Sequence, residues 1–282
     1  MNASTVWKYS EAPTRVAHAA TGIDFAYRQV GNRGDTPLVL CNYFAANMDD
    51  WDPLIVDGLA AGREVITFDF PGIGRSTGSA PETVAELAHD CVGFLHALGL
   101  MTVDFLGFSL GGMVAQQIAS SNPEMVRRMI LCGTGPRGGE KMTFTELSID
   151  DLDDPVALIL HALFTPSDAS QAAGHTYLGR LNRCEADRDR PVTTTAATAQ
   201  LGAIREWGQV PTTDRYAMLR TIQQPTLIVH GAKDIVVDSV NAMILQANLS
   251  DAILLMFPDA SHGAQSQYAE IFLANAQLFL SS

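Results

Sequence analysis

The chain has 282 residues, of which 47% are hydrophobic and 17% are charged, and its formal net charge at pH 7 is −13. This composition provides a sizeable core, which excludes an intrinsically disordered chain. The 18 basic residues form no cluster that would bind nucleic acid or an anionic membrane surface. We therefore expect a folded protein that acts on a small-molecule substrate and has neither a nucleic-acid nor a membrane partner.

The N-terminus and the cysteines indicate the cellular compartment. Residues 1–15 contain no apolar segment of a secretory signal, and no apolar run reaches the ~18 residues that a membrane span needs. The cysteines form no C-x-x-C pair, and those in apolar runs read as free buried thiols; the four are Cys41, Cys91, Cys132 and Cys184. We expect a cytoplasmic protein. A homo-oligomer is left open.

The first elements are three strands. Residues 23–30 alternate between apolar and polar at period two and end in a turn, which predicts an early antiparallel strand. Leu38–Cys41 and Val65–Phe68 are continuous apolar runs, which is typical of strands covered on both faces. A doubly wound sheet starts in this way.

Helices and strands then alternate along the chain. Thr83 and Glu86 form a capping box that opens an amphipathic helix, and Gly99 closes it. Further buried strands are predicted at residues 103–106, 129–132, 226–230 and 253–257, and an amphipathic helix around 272–279. This alternation predicts an α/β fold with a doubly wound, mostly parallel sheet that binds ligands at the carboxyl ends of its strands.

Residues 135–216 interrupt the alternation, because they are helical and loop-rich and contain no buried-strand pattern. We interpret them as an inserted helical cap that divides the core into residues 1–134 and 217–282, with hinges near 137–139 and 210–211. The apolar residues of the cap either face the pocket or pack its own core; they are Met142, Phe144, Leu163, Phe164 and Trp207. Trp207 is the candidate substrate contact among them.

A G-x-S-x-G pentapeptide at residues 107–111 lies between a predicted strand and a predicted helix. In this context Ser109 sits on a sharp turn that presents its hydroxyl above the sheet. The flanking glycines avoid the collisions that a Cβ would cause in so tight a turn. The start of the helix directs N–H groups and its positive dipole end toward the serine. Ser109 is the predicted nucleophile.

A serine nucleophile needs a histidine to take its proton and a carboxylate to orient that histidine. Of seven histidines, His262 follows the last predicted strand, where a loop can place an imidazole over the serine. Asp234 follows the strand that ends at residue 230, and the order Ser109, Asp234, His262 is the one expected for this architecture. Three nearby groups have simpler roles: Asp238 as a helix cap, Asp259 as a solvated loop residue, and His230 as a structural residue.

With these motifs the chain resembles the α/β-hydrolase superfamily from about Gly22 to the C-terminus, apart from the cap. Residues 69–76 (DFPGIGRS) resemble the D-x-x-G-x-G-x-S loop of the family, and Gly231-x-x-Asp234 and Ser261-His262 resemble its acid and base motifs. The resemblance implies an α/β-hydrolase fold with a catalytic triad and no metal or organic cofactor. It says little about the substrate.

The chain departs from the family after the third strand, where Asn42-Tyr43 replaces His-Gly. The resemblance implies an oxyanion hole made by the N–H groups of Phe44 and Leu110. Tyr43, larger than glycine, is a candidate substrate contact in this loop. Enol-lactone hydrolases also carry asparagine at the position of Asn42, so the resemblance favours a lactone as well as an ester substrate.

We predict a serine hydrolase that cleaves a carboxylic ester or a lactone. One alternative uses the same fold and triad for C–C bond hydrolysis, perhydrolysis or cofactor-free oxygen chemistry. Another is a non-catalytic binding protein with a hydrolase fold, which would have no need for a complete triad. The pocket and cap decide the substrate, and the sequence does not name it.

Overall fold

A mostly parallel sheet forms the centre of the computed structural model, which describes residues 8–32, 34, 36–142, 155–182 and 188–282. Within these residues the sheet has eight strands, in the spatial order β1-β2-β4-β3-β5-β6-β7-β8. The pairs β1–β2 and β2–β4 are antiparallel and all other pairs are parallel. The strands are β1 (Arg15–His18), β2 (Asp24–Val30), β3 (Leu38–Cys41), β4 (Val65–Phe68), β5 (Val103–Phe108), β6 (Val126–Cys132), β7 (Thr226–Gly231) and β8 (Ala252–Phe257).

Helices flank the sheet, and their ends follow local capping signals. Thr83 accepts the N–H of Glu86 through its hydroxyl and so starts α2. Asp52 caps α1 in the same way, with Pro53 at the first helical position. The helices are α1 (Pro53–Ala60), α2 (Val84–Ala97), α3 (Leu110–Ser121), α4 (Pro155–Leu163), α5 (Asp168–Leu181), α6 (Thr194–Gly208), α7 (Ala217–Thr221), α8 (Val240–Asn248), α9 (Ala264–Gln267) and α10 (Ala269–Ser281).

Strands β3, β4, β5 and β7 bury both of their faces, as their continuous apolar runs predicted. In β3, Leu38 and Leu40 belong to one buried cluster, whereas Val39 and Cys41 belong to the cluster on the opposite face. Phe105 and Leu106 divide in the same way in β5. This division follows from the period of two residues in a strand. The predicted doubly wound α/β fold is confirmed.

Strand β1 was not predicted. Its four residues include the polar Arg15 and His18 at the ends, and only Ala17 is buried. No apolar alternation is present over so short a segment, so its sequence does not distinguish it from a loop. It forms through backbone pairing to β2 at the edge of the sheet.

Residues 135–216 are here called the inserted segment. They lie between β6 and α7, the helix that precedes β7. Where the structure describes this segment, it contains the helices α4, α5 and α6 and no strand. Arg180 of α5 pairs with Asp52 at 2.6 Å, and the Tyr177 hydroxyl donates to the carbonyl of Asp50 at 3.1 Å. Four of the five apolar residues singled out in the sequence are buried in the two core clusters: Met142, Leu163, Phe164 and Trp207. Phe144 lies outside the described residues.

The sheet topology gathers several loops at one edge. Strands β3, β5, β6, β7 and β8 are mutually parallel, so their carboxyl ends share that edge. Ser109 follows β5, Asp234 follows β7 and His262 follows β8. Within the described residues no helix is long and apolar enough to cross a membrane.

Candidate active site

Ser109 occupies a strained turn between β5 and α3. Its φ of 52° and ψ of −112° lie in a region that residues other than glycine rarely adopt. A Cβ on Gly107 would collide with the backbone of Gly111, and one on Gly111 would collide with the carbonyl of Cys41. Both glycines are therefore required by the close approach of the backbone. The turn is the sharp strand-to-helix elbow that the pentapeptide predicted.

Hydrogen bonds from neighbouring strand ends hold this turn. The N–H of Ser109 donates to the carbonyl of Cys132 at 2.9 Å, at the end of β6. The hydroxyl of Thr134 donates to the Ser109 carbonyl at 2.8 Å. Only 6% of Ser109 is exposed. Hydrogen bonds at its N–H and at its carbonyl thus hold Ser109, which is nearly buried.

His262 packs directly against the elbow. Its ring centroid lies 5.1 Å from that of Phe108, the residue before Ser109. On the other side, a Cβ on Gly133 would come within 3.1 Å of Nδ1 of His262, so glycine is needed for this approach. His262 is buried, with 4% of its surface exposed. Two separate contacts therefore bring the imidazole to the serine turn.

The carboxylate of Asp234 contacts the imidazole of His262. Its Oδ2 atom lies 2.8 Å from Nδ1 of His262. Its Oδ1 atom accepts the N–H groups of Val236 at 2.8 Å and Val237 at 2.9 Å, so the carboxylate cannot rotate freely. Because Nδ1 is engaged with the carboxylate, Nε2 is the nitrogen that remains to accept a proton.

The electrostatics favour an ionised Asp234. Burial by itself raises the pKa of this carboxyl, because the charged form loses water. The adjacent charge of His262 and the hydrogen bonds from His230 and His262 outweigh burial and lower the pKa below its ordinary value. A carboxylate that stays negative at neutral pH can orient the imidazole and stabilise its cation.

His230 is a second histidine on the same carboxylate. Its Nε2 atom lies 3.2 Å from Oδ2 of Asp234 and 2.9 Å from the carbonyl of Val237. Nδ1 of His230 is buried and has no partner among the described residues. From the sequence we expected a strand-end histidine that is near the site and has a structural role, and the structure places it against the acid. The spacing of four residues between His230 and Asp234 was the available signal.

The two competing carboxylates have other partners. Asp238 accepts the N–H of Val240 at 3.1 Å at the start of α8 and pairs with Lys141. Asp259 does more than the solvated loop role that we expected. It accepts the hydroxyls of Thr165 at 2.9 Å and Ser167 at 2.6 Å, which lie in the inserted segment. Hydrogen bonds to a distant segment leave no signal in the local sequence, so this role could not be predicted.

The loop after β3 shows what Asn42 does in place of histidine. Its side-chain oxygen accepts the N–H of Tyr43 at 2.9 Å, and its amide group donates to the carbonyl of Asn47 at 2.5 Å. The N–H of Tyr43 is thus occupied, whereas that of Phe44 meets no acceptor among the described residues. Gly111 packs on the carbonyl of Cys41 and brings this loop to the elbow.

Leu110 lies at the first position of α3. The first four N–H groups of a helix have no partner within the helix, and the helix dipole is positive at this end. The N–H of Leu110 is therefore available beside the serine. Together with Phe44 it forms the candidate oxyanion hole.

Tyr43 and Trp207 were the candidate substrate contacts, and the structure places them differently. The ring of Tyr43 lies 4.9 Å from that of Phe108, which itself contacts His262. Trp207 has no exposed surface, and its indole N–H donates to the carbonyl of Gly135 at 3.2 Å. A fully covered side chain cannot touch a substrate in this conformation, so the pocket assignment for Trp207 is replaced by a packing role.

Within the described residues no group of three or more His, Cys, Asp and Glu side chains is arranged to hold a metal ion. The arrangement can move a proton between a serine hydroxyl and an imidazole that a carboxylate orients.

Comparison with known proteins identifies the family. Residues 36–267 match the sequence model of the alpha/beta hydrolase fold. A pimeloyl-[acyl-carrier protein] methyl ester esterase of Aromatoleum aromaticum is 30% identical over 82% of this chain and 92% of its own. A non-heme haloperoxidase of Rhodococcus erythropolis is 29% identical over 94% of this chain and 98% of its own.

Among solved structures, an alpha/beta hydrolase fold protein from Chitinophaga pinensis superposes with a TM-score of 0.90 and 36% identity. That alignment covers 98% of this chain and 100% of the other. The match of the family model over most of the chain agrees with this superposition. The chain therefore belongs to the α/β-hydrolase fold family and is an enzyme of the hydrolase class.

Proposed function

We propose that this enzyme is a serine hydrolase that cleaves a carboxylic ester or a lactone through an acyl-enzyme. The observation that carries the proposal is the pairing of His262 and Asp234 beside a serine held at a positive φ. The relative named a methyl ester esterase supports an ester substrate. The asparagine that this chain shares with enol-lactone hydrolases, Asn42, supports a lactone.

In the first half-reaction the Ser109 hydroxyl attacks the carbonyl carbon while Nε2 of His262 takes its proton. The tetrahedral intermediate collapses, the bond to the leaving oxygen breaks, and His262 gives the proton to that oxygen. With a lactone the leaving hydroxyl stays attached to the acyl group. Asp234 stabilises the imidazolium that exists between these two transfers.

In the second half-reaction His262 takes a proton from water, and the hydroxide attacks the acyl carbon. The acid is released when the proton returns to Ser109, so the enzyme is regenerated. The N–H groups of Phe44 and Leu110 donate to the negative oxygen in both tetrahedral intermediates. Each step uses groups of the protein, and the proposal includes no metal or organic cofactor.

We also propose that the inserted segment acts as a cap that shapes the substrate pocket. Its α4 helix contacts the base loop directly. The Ala162 carbonyl accepts the N–H of His262 at 3.3 Å, and the Leu163 carbonyl accepts that of Gly263 at 2.9 Å. Movement of the segment would therefore reach the base as well as the pocket.

A panel of short esters, long esters and lactones tests the proposal. Ser109→Ala should lower kcat at least ~10³-fold on the best substrate, because a triad member is lost. Ser121→Ala is the matched control, since this exposed serine lies at the far end of the same helix. Near wild-type hydrolysis by Ser109→Ala would remove Ser109 from the role of nucleophile.

The relative named a non-heme haloperoxidase favours a second candidate, perhydrolysis. In this reaction hydrogen peroxide replaces water in the attack on the acyl-enzyme and a peracid is released. The triad is the same, so an assay for peracid in the presence of acetate and peroxide separates the two candidates. A rate of peracid formation well above that of ester hydrolysis would favour the second candidate over the first.

A further inference from the structure

A glutamine of the inserted segment reaches the oxyanion loop. Gln200 lies in α6, 155 residues along the chain from Ala45, and its Oε1 atom accepts the N–H of Ala45 at 2.9 Å. The glutamine side chain has no exposed surface. The bond is therefore a buried link between the inserted segment and the loop that follows β3.

The residue that donates this hydrogen bond, Ala45, has a strained backbone conformation. Ala45 has a φ of 54°, in the left-handed region that a residue with a Cβ adopts only when its surroundings impose it. The preceding residue is Phe44, whose N–H is one of the two proposed oxyanion donors. The bond from Gln200 holds the peptide on one side of Phe44, and the bond from Asn42 to the N–H of Tyr43 holds the other side.

Packing alone does not account for a glutamine at this position. The Nε2 group of Gln200 is buried and meets no acceptor among the described residues. An unpaired buried amide destabilises the fold, whereas Met or Leu would fill a similar volume without that cost. The helix does not need it either, because Thr193 caps α6, Ile204 belongs to a buried core cluster and Leu201 is buried. Local rules of this kind are broken mainly at functional positions.

We propose that Gln200 is a positioning residue that sets the oxyanion loop. It fixes the Phe44–Ala45 peptide and thereby directs the N–H of Phe44 at the oxyanion. The inserted segment then contributes to the rate as well as to the shape of the pocket. This inference rests on the proposed serine hydrolase function.

Gln200→Met tests the inference, because it keeps the volume and removes the acceptor. The control is Leu201→Ala, which disturbs the packing of the next buried position of α6 without touching the loop. For both variants kcat and KM on the best ester, the rate of labelling by a small fluorophosphonate, and Tm are measured. Labelling is informative because the phosphonyl oxygen needs the same oxyanion donors.

We expect Gln200→Met to lower kcat and the labelling rate by roughly 10-fold to 100-fold, with KM within ~3-fold of wild type, since a misdirected donor acts on the transition state. Its Tm should fall less than that of Leu201→Ala. A kcat and a labelling rate equal to wild type would overturn the role of Gln200. So would a loss of rate in Leu201→Ala as large as that in Gln200→Met, because the effect would then come from the packing of α6.

Failure of the underlying function gives a different result. In that case the wild-type protein is not labelled at Ser109, whatever residue stands at position 200. Labelling of wild type at Ser109 combined with unchanged kinetics in Gln200→Met rejects this inference alone.

Discussion

The Nε2 atom of His230 lies 3.2 Å from the Oδ2 atom of Asp234. The same oxygen contacts His262 at 2.8 Å, while Oδ1 accepts the N–H groups of Val236 and Val237. Both oxygens of the carboxylate are therefore fixed by donors. An acid held in this way can hold the imidazole of His262 in one orientation throughout the reaction.

The first prediction separates the two carboxylates that follow β7. Asp234→Asn should lower kcat by about 10³-fold or more, because a neutral amide does not enforce the tautomer with hydrogen on Nδ1 and does not stabilise the imidazolium. Asp238→Asn should retain most of the activity, because that carboxylate pairs with Lys141 and caps α8. Steady-state kinetics of both variants on one ester decide the matter. Equal losses, or a larger loss in Asp238→Asn, would mean that the acid has been assigned wrongly.

The second prediction concerns His230. His230→Asn should raise the pKa of Asp234, because a hydrogen bond that lowers it is lost. The expected result is a kcat reduced by roughly 10-fold with little change in KM, since the acid is less well oriented in the transition state. Steady-state kinetics measured over a range of pH check this.

His89→Asn is the control for this variant, because His89 is an exposed histidine of α2. Its kinetics and pH profile should match those of wild type. If His230→Asn also keeps the wild-type profile and kcat, His230 serves the fold alone.

The third prediction links the acid to stability. The pKa of Asp234 is lower in the folded state than the ordinary value of about 3.9 for an aspartate. Ionised Asp234 therefore stabilises the fold above about pH 4, and this contribution is lost as the pH falls through the folded-state pKa. The free energy of unfolding of wild type minus that of Asp234→Asn should shrink as the pH falls below about 4. Urea unfolding at several pH values measures it, and a difference that grows toward acid has the wrong sign.

The fourth prediction follows from the burial of Trp207. Trp207→Ala should lower the free energy of unfolding by ~3–5 kcal/mol, because a large side chain leaves a cavity in the core. The relative rates on a panel of esters and lactones should not change. Trp207→Phe keeps most of the apolar volume and loses the hydrogen bond to Gly135, so its cost should be smaller. A change in substrate preference with little loss of stability would restore the pocket role.

Strands and helices that are marked by a pattern of several residues could be predicted from the sequence. Leu38–Cys41 and Val65–Phe68 occupy the predicted residues, and the helix after Thr83 begins where the capping box placed it. Strands β5, β6, β7 and β8 were predicted to be one to three residues shorter than they are, as in β6, which begins at Val126, whereas β2 was predicted to be one residue longer. Strand ends such as Arg127 and Arg128 are polar and half-buried, so hydropathy does not mark them.

Contacts between distant segments could not be predicted. The bond between Gln200 and Ala45 and the bonds from Thr165 and Ser167 to Asp259 each join residues that are far apart in the chain. The sequence around one residue of each pair gives no information about which residue is its partner. The sequence did predict that Ser109, Asp234 and His262 each follow a strand of one mostly parallel sheet, and parallel strands present their carboxyl ends at one edge.

The most direct test of the central claim is the site at which a fluorophosphonate reacts. Wild-type protein should gain the mass of one probe, and peptide mapping should place the adduct on Ser109. Ser109→Ala should gain no mass. An adduct on any other residue, or a wild-type protein that remains unlabelled while folded, would contradict the account.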